Sequence, residues 1–194
     1  MIDLKTPPTW FYKAVAVENL KQIQREILTK IFLKFPDLAS NSPNFLKIFP
    51  DEMINDCPCY VEFIKKFGDF DKWSECAVIT TQNNIDFPIH VDSYDWFDLC
   101  YGLNIPILNC HNSHIVWYEA EIEINLDKTD KFYQRDTARR QRKHTIAREI
   151  AQCDMNLPAW INTSIPHRPV STHGKLQIIF SARFNPELHE LLYE

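Results

Sequence analysis

Between Val116 and Asp127 the side chains alternate with a period of two. Val116, Tyr118, Ala120, Ile122, Ile124 and Leu126 fall on one face, while Glu119, Glu121, Glu123, Asn125 and Asp127 fall on the other. Such a run separates its two faces only as an extended strand with one side packed and one side wet. Four further segments carry the same signature of short Val, Ile, Leu and aromatic runs: Cys76 to Thr81, Tyr101 to Leu108, Ala159 to Thr163 and Leu176 to Phe184. Ser113 to Tyr118 extends the alternating run at its start.

The first part of the chain reads differently. Leu20, Ile23, Ile27, Leu28, Ile31, Phe32 and Phe35 recur at helical spacing, and Pro36 stops the helix. A second, shorter helix is expected from about Cys59 to Phe67, closed by Gly68. The expected class is therefore mainly β with flanking helices, an antiparallel sandwich or jelly roll. One domain is expected over 1–194, with helical support over about 1–72, a β core over about 73–186, and a basic insertion over about 128–156. Within that insertion, Gln134 to Glu149 holds five Arg and one Lys among helix-favouring neighbours, which suggests a helix or a mobile excursion between strands. A solvated helix face is the plain explanation of these charges. Placed beside a site, the same cations would receive an anionic substrate or a nucleic-acid phosphate.

Composition removes several function classes. With three glycines against twelve prolines, neither G-x-G-x-x-G nor a P-loop can be assembled from Gly68, Gly102 and Gly174, and no G-x-S-x-G is present. Glycine-cradled phosphate sites and the esterase elbow are thereby excluded. A formal charge of −5 argues against a nucleic-acid binder that relies on bulk charge, leaving the Arg-rich segment 135–148 as the one place for such contacts. No apolar run reaches the roughly 18 to 20 residues that cross a bilayer, and the first residues lack the apolar core of a signal peptide, so no membrane partner and a cytoplasmic location are expected. Six cysteines lack zinc spacing, and the Cys57-Pro-Cys59 pair reads as two reduced thiols beside a turn.

His90-Val-Asp92 is the motif that carries chemistry. Residues two apart on a strand point to the same side, so His90 and Asp92 can reach one ion, and two imidazoles with one carboxylate form the ligand set that holds non-haem Fe(II) on one face. Ile161-Asn-Thr-Ser-Ile-Pro-His167-Arg offers the second imidazole. His111 and His114 flank an expected turn, His144 lies in the basic segment, and His189 lies in a helical tail, so none is assigned to a metal. Trp96 and Phe97 follow the motif closely and, like Trp117 and Trp160, are expected to be packing material.

In this order the elements resemble the Fe(II)/2-oxoglutarate-dependent oxygenases, built on a double-stranded β-helix, over roughly 73–186. Pro88-Ile-His90-Val-Asp92 is followed by Tyr101-Gly-Leu-Asn104-Ile-Pro-Ile-Leu, similar to the family's "LNIPL" strand. Next come the His167 segment, similar to its "NT…HRV" stretch, and Gln177-Ile-Ile-Phe-Ser-Ala-Arg183-Phe, similar to its closing strand. The aspartyl/asparaginyl and prolyl hydroxylase branches look nearest. The resemblance implies a cupin-like jelly roll with His90, Asp92 and His167 as iron ligands, 2-oxoglutarate and O2 as co-substrates, and hydroxylation of a peptide side chain, amino acid or small metabolite with release of succinate and CO2.

One position departs from the family. An Arg or Lys normally stands about ten residues past the distal His to clamp the far carboxylate of 2-oxoglutarate, and here that place holds Gln177. A neutral amide lacks the charged fork that a carboxylate favours. Arg183 has the parity of Gln177 and is expected to act as the clamp, with Asn104 or Gln177 adding a hydrogen bond. The neutral position also supports an alternative, a cupin-like metal- or ligand-binding protein without oxygenase activity. A second register uses His173, ten residues before Arg183, as distal ligand. His173 adjoins Gly174, where a hairpin turn is expected, and the reading takes His167. His167→Ala is expected to abolish Fe(II) binding and His173→Ala to retain it; metal content after anaerobic loading checks this, and the reverse result selects the second register.

Overall fold

The computed structural model describes residues 10–38, 45–67, 73–81, 89–92, 101–111, 113–120, 139–141, 147–171 and 175–184, with the backbone alone described at 45, 47, 50, 73–81, 92, 101, 139–141, 183 and 184. Its strands are β1 (Tyr12–Ala14), β2 (Phe45–Ile48), β3 (Trp73–Thr81), β4 (His90–Asp92), β5 (Tyr101–Leu108), β6 (Ser113–Ala120), β7 (Arg139–Gln141), β8 (Ala147–Asp154), β9 (Ala159–Asn162), β10 (His167–Ser171) and β11 (Gln177–Phe184). Its helices are α1 (Leu20–Lys34), α2 (Pro50–Met53) and α3 (Pro58–Lys65). A six-stranded sheet runs β1-β9-β5-β11-β3-β2 and a five-stranded sheet runs β7-β4-β10-β6-β8.

The larger sheet is sorted by parity. Leu103 and Ile105 of β5, Trp160 of β9, and Ile178, Phe180 and Ala182 of β11 join a buried cluster with Ile23, Ile27 and Ile31 of α1 and Tyr60, Phe63 and Ile64 of α3. Those three isoleucines recur every four residues, one stripe of α1, and each is almost wholly buried. Burial on this scale stabilises by roughly 1.5–3 kcal/mol per side chain. Gln24 also donates to the Pro106 carbonyl at 2.7 Å, docking α1 on β5. Glu26 accepts from the Cys59 and Tyr60 amides at 3.0 and 3.3 Å, satisfying two of the orphan donors at the start of α3.

The opposite face of that sheet meets the smaller sheet. Ile161 and Ile179 pack there with Ile115 and Trp117 of β6 and with Cys110, Cys153 and Met155. Next to Pro106 the register between β5 and β11 shifts, Ile178 facing Leu108 and Ile179 facing Pro106, so Ile107 is the extra residue. Proline has no N–H for the ladder, which makes this a natural place for the irregularity. The far side of the smaller sheet has its own cluster of Ile89, Val116 and Tyr118, joined by Ala120, Ala147 and Val170.

The expected strands at 76–81, 101–108, 113–118, 159–163 and 176–184 are all found, as is the helix ending before Pro36; the shorter helix expected at about 59–67 runs Pro58–Lys65, and Gly68 lies outside the described residues. Two expectations need correction. The stretch from Tyr133 to Cys153 is not a helical or mobile insertion throughout, because β8 pairs along β6 and β7 pairs with β4. Charge and helix propensity misled there. β8 is mostly exposed and holds its place through backbone pairing, with Arg148 bonded to Glu119 across the strands. The region before 73 is also more than helical support, since β1 pairs with β9 and β2 with β3 to extend the larger sheet. The second half of the alternating run, 121–127, lies outside the described residues.

Phe180 has no exposed surface and stacks edge-on against Tyr60 at 5.1 Å between ring centroids. Phe180→Ala is expected to destabilise the protein by about 3–5 kcal/mol, measured by urea denaturation; a loss below about 1 kcal/mol would mean that the helix layer is not cemented at this ring.

Candidate metal centre

β4 and β10 are neighbours in the smaller sheet, and His90 and His167 are direct cross-strand partners. Directly opposed residues share a face. Their rings accordingly lie 4.6 Å apart between centroids at an interplanar angle of 44°, both buried. His167 Nδ1 lies 2.9 Å from the Ile165 carbonyl oxygen. A carbonyl only accepts, so Nδ1 carries the proton, and in the neutral form of the ring Nε2 is then the lone-pair nitrogen. A hydrogen bond from the other ring nitrogen to a carbonyl is how metal-binding imidazoles are commonly oriented.

The chain segment that delivers His167 is fixed by several bonds. Asn162 Oδ1 accepts from the Ser164 amide at 3.0 Å and from the Ser164 hydroxyl at 2.7 Å, an Asx turn that starts the link from β9 to β10. Asn162 Nδ2 donates to the Trp10 carbonyl at 3.2 Å. The Tyr118 amide donates to the Pro166 carbonyl at 2.8 Å. Trp117, the other cross-strand partner of His167, has no exposed surface and donates its indole N–H to the Asn162 carbonyl at 2.8 Å. Phe11 and Tyr12 cover the indole, with centroids at 5.6 and 6.3 Å.

Asp92 stands on β4 with the parity of His90, and its Cα partner on β7 is Arg139. Its side chain is not among those described. Among the described residues no trio of His, Cys, Asp or Glu converges as a metal site. The pair His90 and His167 is brought together, and Asp92 is placed by its backbone. His173, His144, His189, Trp96 and Phe97 lie outside the described residues. His114, expected at a turn, lies in β6 and contacts Asp154 at 2.9 Å.

The three residues expected to bind the co-substrate do not gather at one point. Asn104 accepts from the Ser181 hydroxyl at 2.6 Å, both residues being buried in the middle of the larger sheet. With Oδ1 engaged, its amide N–H groups remain for another partner. Asn104 also lines a cavity of about 10 Å³ with Ile115, Cys153, Ile161 and Ile179, room for about one water. Gln177 opens β11 opposite Thr81, whereas Arg183 stands near its end opposite Gly102 and Ser74. Parity predicts the face of a strand, not the position along it, and six residues of strand span about 20 Å.

Sequence reasoning missed Ser113 and Cys110. Ser113 is almost wholly buried, and its hydroxyl has no hydrogen-bond partner among the described residues. Cys110 donates its thiol to the Ile178 carbonyl at 3.1 Å, and burial pushes its pKa up to about 11. Burial likewise pushes Cys153 up to about 12. The one signal for Ser113 was Trp117, four places on with the same parity and expected to be packing material. Nothing in the sequence marked Cys110.

No family profile and no curated protein matches the sequence. Solved structures do match in fold. A prolyl hydroxylase from Trichoplax adhaerens, in complex with a hypoxia-inducible-factor peptide fragment, superposes with a TM-score of 0.51 at 12% identity over 96% of this chain and 88% of that one. HygX from Streptomyces hygroscopicus, with nickel and 2-oxoglutarate bound, superposes with a TM-score of 0.50 at 8% identity over 92% of this chain and 83% of that one. The chain therefore shares the fold of these two proteins, the double-stranded β-helix expected from its sequence.

Asn162→Ala is expected to cost about 1–3 kcal/mol by removing the Asx turn and the Trp10 bond together, and to loosen His167 without touching it. Chemical denaturation and the His167 ring signals in an NMR spectrum check this; unchanged signals would show that the turn does not set the ring.

Proposed function

We propose that the protein is a non-haem Fe(II)- and 2-oxoglutarate-dependent dioxygenase that hydroxylates an unidentified peptide side chain, amino acid or small metabolite. The observation that carries this reading is the cross-strand pair His90 and His167, one ring already oriented through Nδ1, with Asp92 two positions along the same strand. The donor set fits the metal, since two neutral imidazoles and one carboxylate suit Fe(II) and leave positions for a 2-oxo acid and O2. The chemistry such an ion supplies is oxygen activation coupled to decarboxylation: one oxygen atom enters a substrate C–H bond, the other enters succinate, and CO2 leaves.

The chain's own part is orientation and shielding. The Ile165 carbonyl holds the His167 tautomer, the Asx turn at Asn162 sets the height of that ring, and Trp117 closes the interior beside it against water. Anaerobic titration of the apoprotein with Fe(II) and then 2-oxoglutarate is expected to give the visible charge-transfer band of a chelated 2-oxo acid, absent in Asp92→Ala. Iron uptake without a band for any 2-oxo acid favours the second reading, a cupin-like metal- or ligand-binding protein, for which the neutral Gln177 speaks. Absence of iron uptake ends both metal readings.

A further inference from the structure

We propose that strand β7 is the docking edge for an acidic peptide substrate. An extended segment of that peptide lies along Arg139–Gln141, with one carboxylate next to the residue to be hydroxylated and a second two positions from it. The proposal rests on the reading of His90, Asp92 and His167 as the iron site and narrows its substrate to a peptide.

β7 is antiparallel to β4, with Arg139 opposite Asp92, Arg140 opposite Val91 and Gln141 opposite His90. Cross-strand partners share a face of the sheet, so positions 139 and 141 belong to the face of the paired imidazoles and position 140 to the face of Ile89. β7 also ends the smaller sheet, one strand from His90. The other end is β8, which β6 separates from β10. Its register against β6 shifts between Trp117 and Tyr118, leaving Ile150 as the extra residue. A bulge of this kind turns an edge away from further pairing. Of the two described edges of this sheet, β7 is therefore the one that offers backbone groups beside the candidate metal pair.

The segment 135–148 holds five Arg and one Lys against one Asp, in a chain whose formal charge is −5. The rest of the chain is thus strongly acidic. It repels an acidic ligand and leaves this strip as the place where one is drawn in. Cations on an edge oppose pairing with an ordinary strand, and the same cations select a strand that carries carboxylates. Shape separates the classes of anion. Arg139 and Arg140 stand on opposite faces, so a small anion meets one of them, whereas the side chains of an extended peptide alternate and reach both. A nucleic-acid backbone has no N–H and C=O groups to match a strand edge, and a peptide has them in register. On such a segment the residue opposite Gln141 falls on the face of His90, its neighbour lies opposite Arg140, and the next lies opposite Arg139. Carboxylates at those two positions complete the charge pairs.

The test uses the full chain loaded anaerobically with Fe(II), and fluorescein-labelled peptides of one Ser-Val frame with a central Pro, Asn or Lys. Each is made with Glu, or with Gln, at the first and second positions on either side of the centre. Fluorescence anisotropy at low salt is expected to show the Glu peptides binding at least about tenfold more tightly than their Gln counterparts, a preference that shrinks as salt rises. Arg140→Glu is expected to remove the preference and to favour the same peptides with Lys in place of Glu. Iron uptake stays unchanged, since position 140 is on the face away from the imidazoles. A purely structural role of Arg140 would not invert the charge preference. Should Arg140→Glu not fold, Arg140→Gln reads the same place: a weakened preference supports the edge and an unchanged one overturns it. Equal binding of Glu and Gln peptides by the wild type overturns the proposal, as does an oligothymidylate that binds more tightly than every Glu peptide, which would assign the strip to phosphates. Titration of the same samples with 2-oxoglutarate separates the two readings. A Glu preference without a charge-transfer band removes the oxygenase and leaves β7 as an acidic-peptide edge, whereas a band without a Glu preference removes only the edge.

Discussion

The indole of Trp117 joins the two sheets. It belongs to the smaller sheet, is fully buried, and donates to the carbonyl of Asn162 in the larger one. A buried N–H must find an acceptor, so the bond fixes how far the sheets stand apart and how they are aligned at this level. His167 is its cross-strand neighbour, and Asn162 begins the turn that leads to His167. The height and rotation of the candidate ligand thus depend on this bond between the layers together with the Asx turn that it anchors.

From that anchor the interior is graded in chemistry. At the level of Trp117 lie the paired imidazoles, then the bonded Asn104 and Ser181. Toward the start of β6 and β11 come Cys110, Ser113 and Gln177, all buried. Apolar side chains of the same strands face the helices and form the larger core. The fold can hold polar groups inside because stability is carried mainly by that outer layer, where Ile23, Ile27, Ile31, Trp160 and Phe180 lose nearly all contact with water.

Much of this order was legible in advance where a local rule had a single physical outcome. Alternation from Val116 to Ala120 specified a strand, and the four-residue stripe of α1 specified a packed helix that ended before Pro36. The errors arose where local preference and pairing disagree. The residues of β8 carry helix-compatible side chains and little burial, yet β6 offers a free ladder and the backbone takes it. The strand β1 has only three residues, all exposed, so nothing in its side chains announced its pairing with β9.

The periodicities, the absence of glycine-cradled phosphate sites and the neutral residue at position 177 depend only on neighbours along the chain and could be read before any fold was known. Tertiary structure alone decided that His90 and His167 face each other across two strands. It also decided that Gln177 and Arg183 stand at opposite ends of one strand and that the Ser113 hydroxyl is enclosed with no hydrogen-bond partner among the described residues. Parity is a local property and survives in the sequence. Distance between strands and the closure of an interior are set by which ladders pair and how layers pack, and residues far apart in the chain must settle those together.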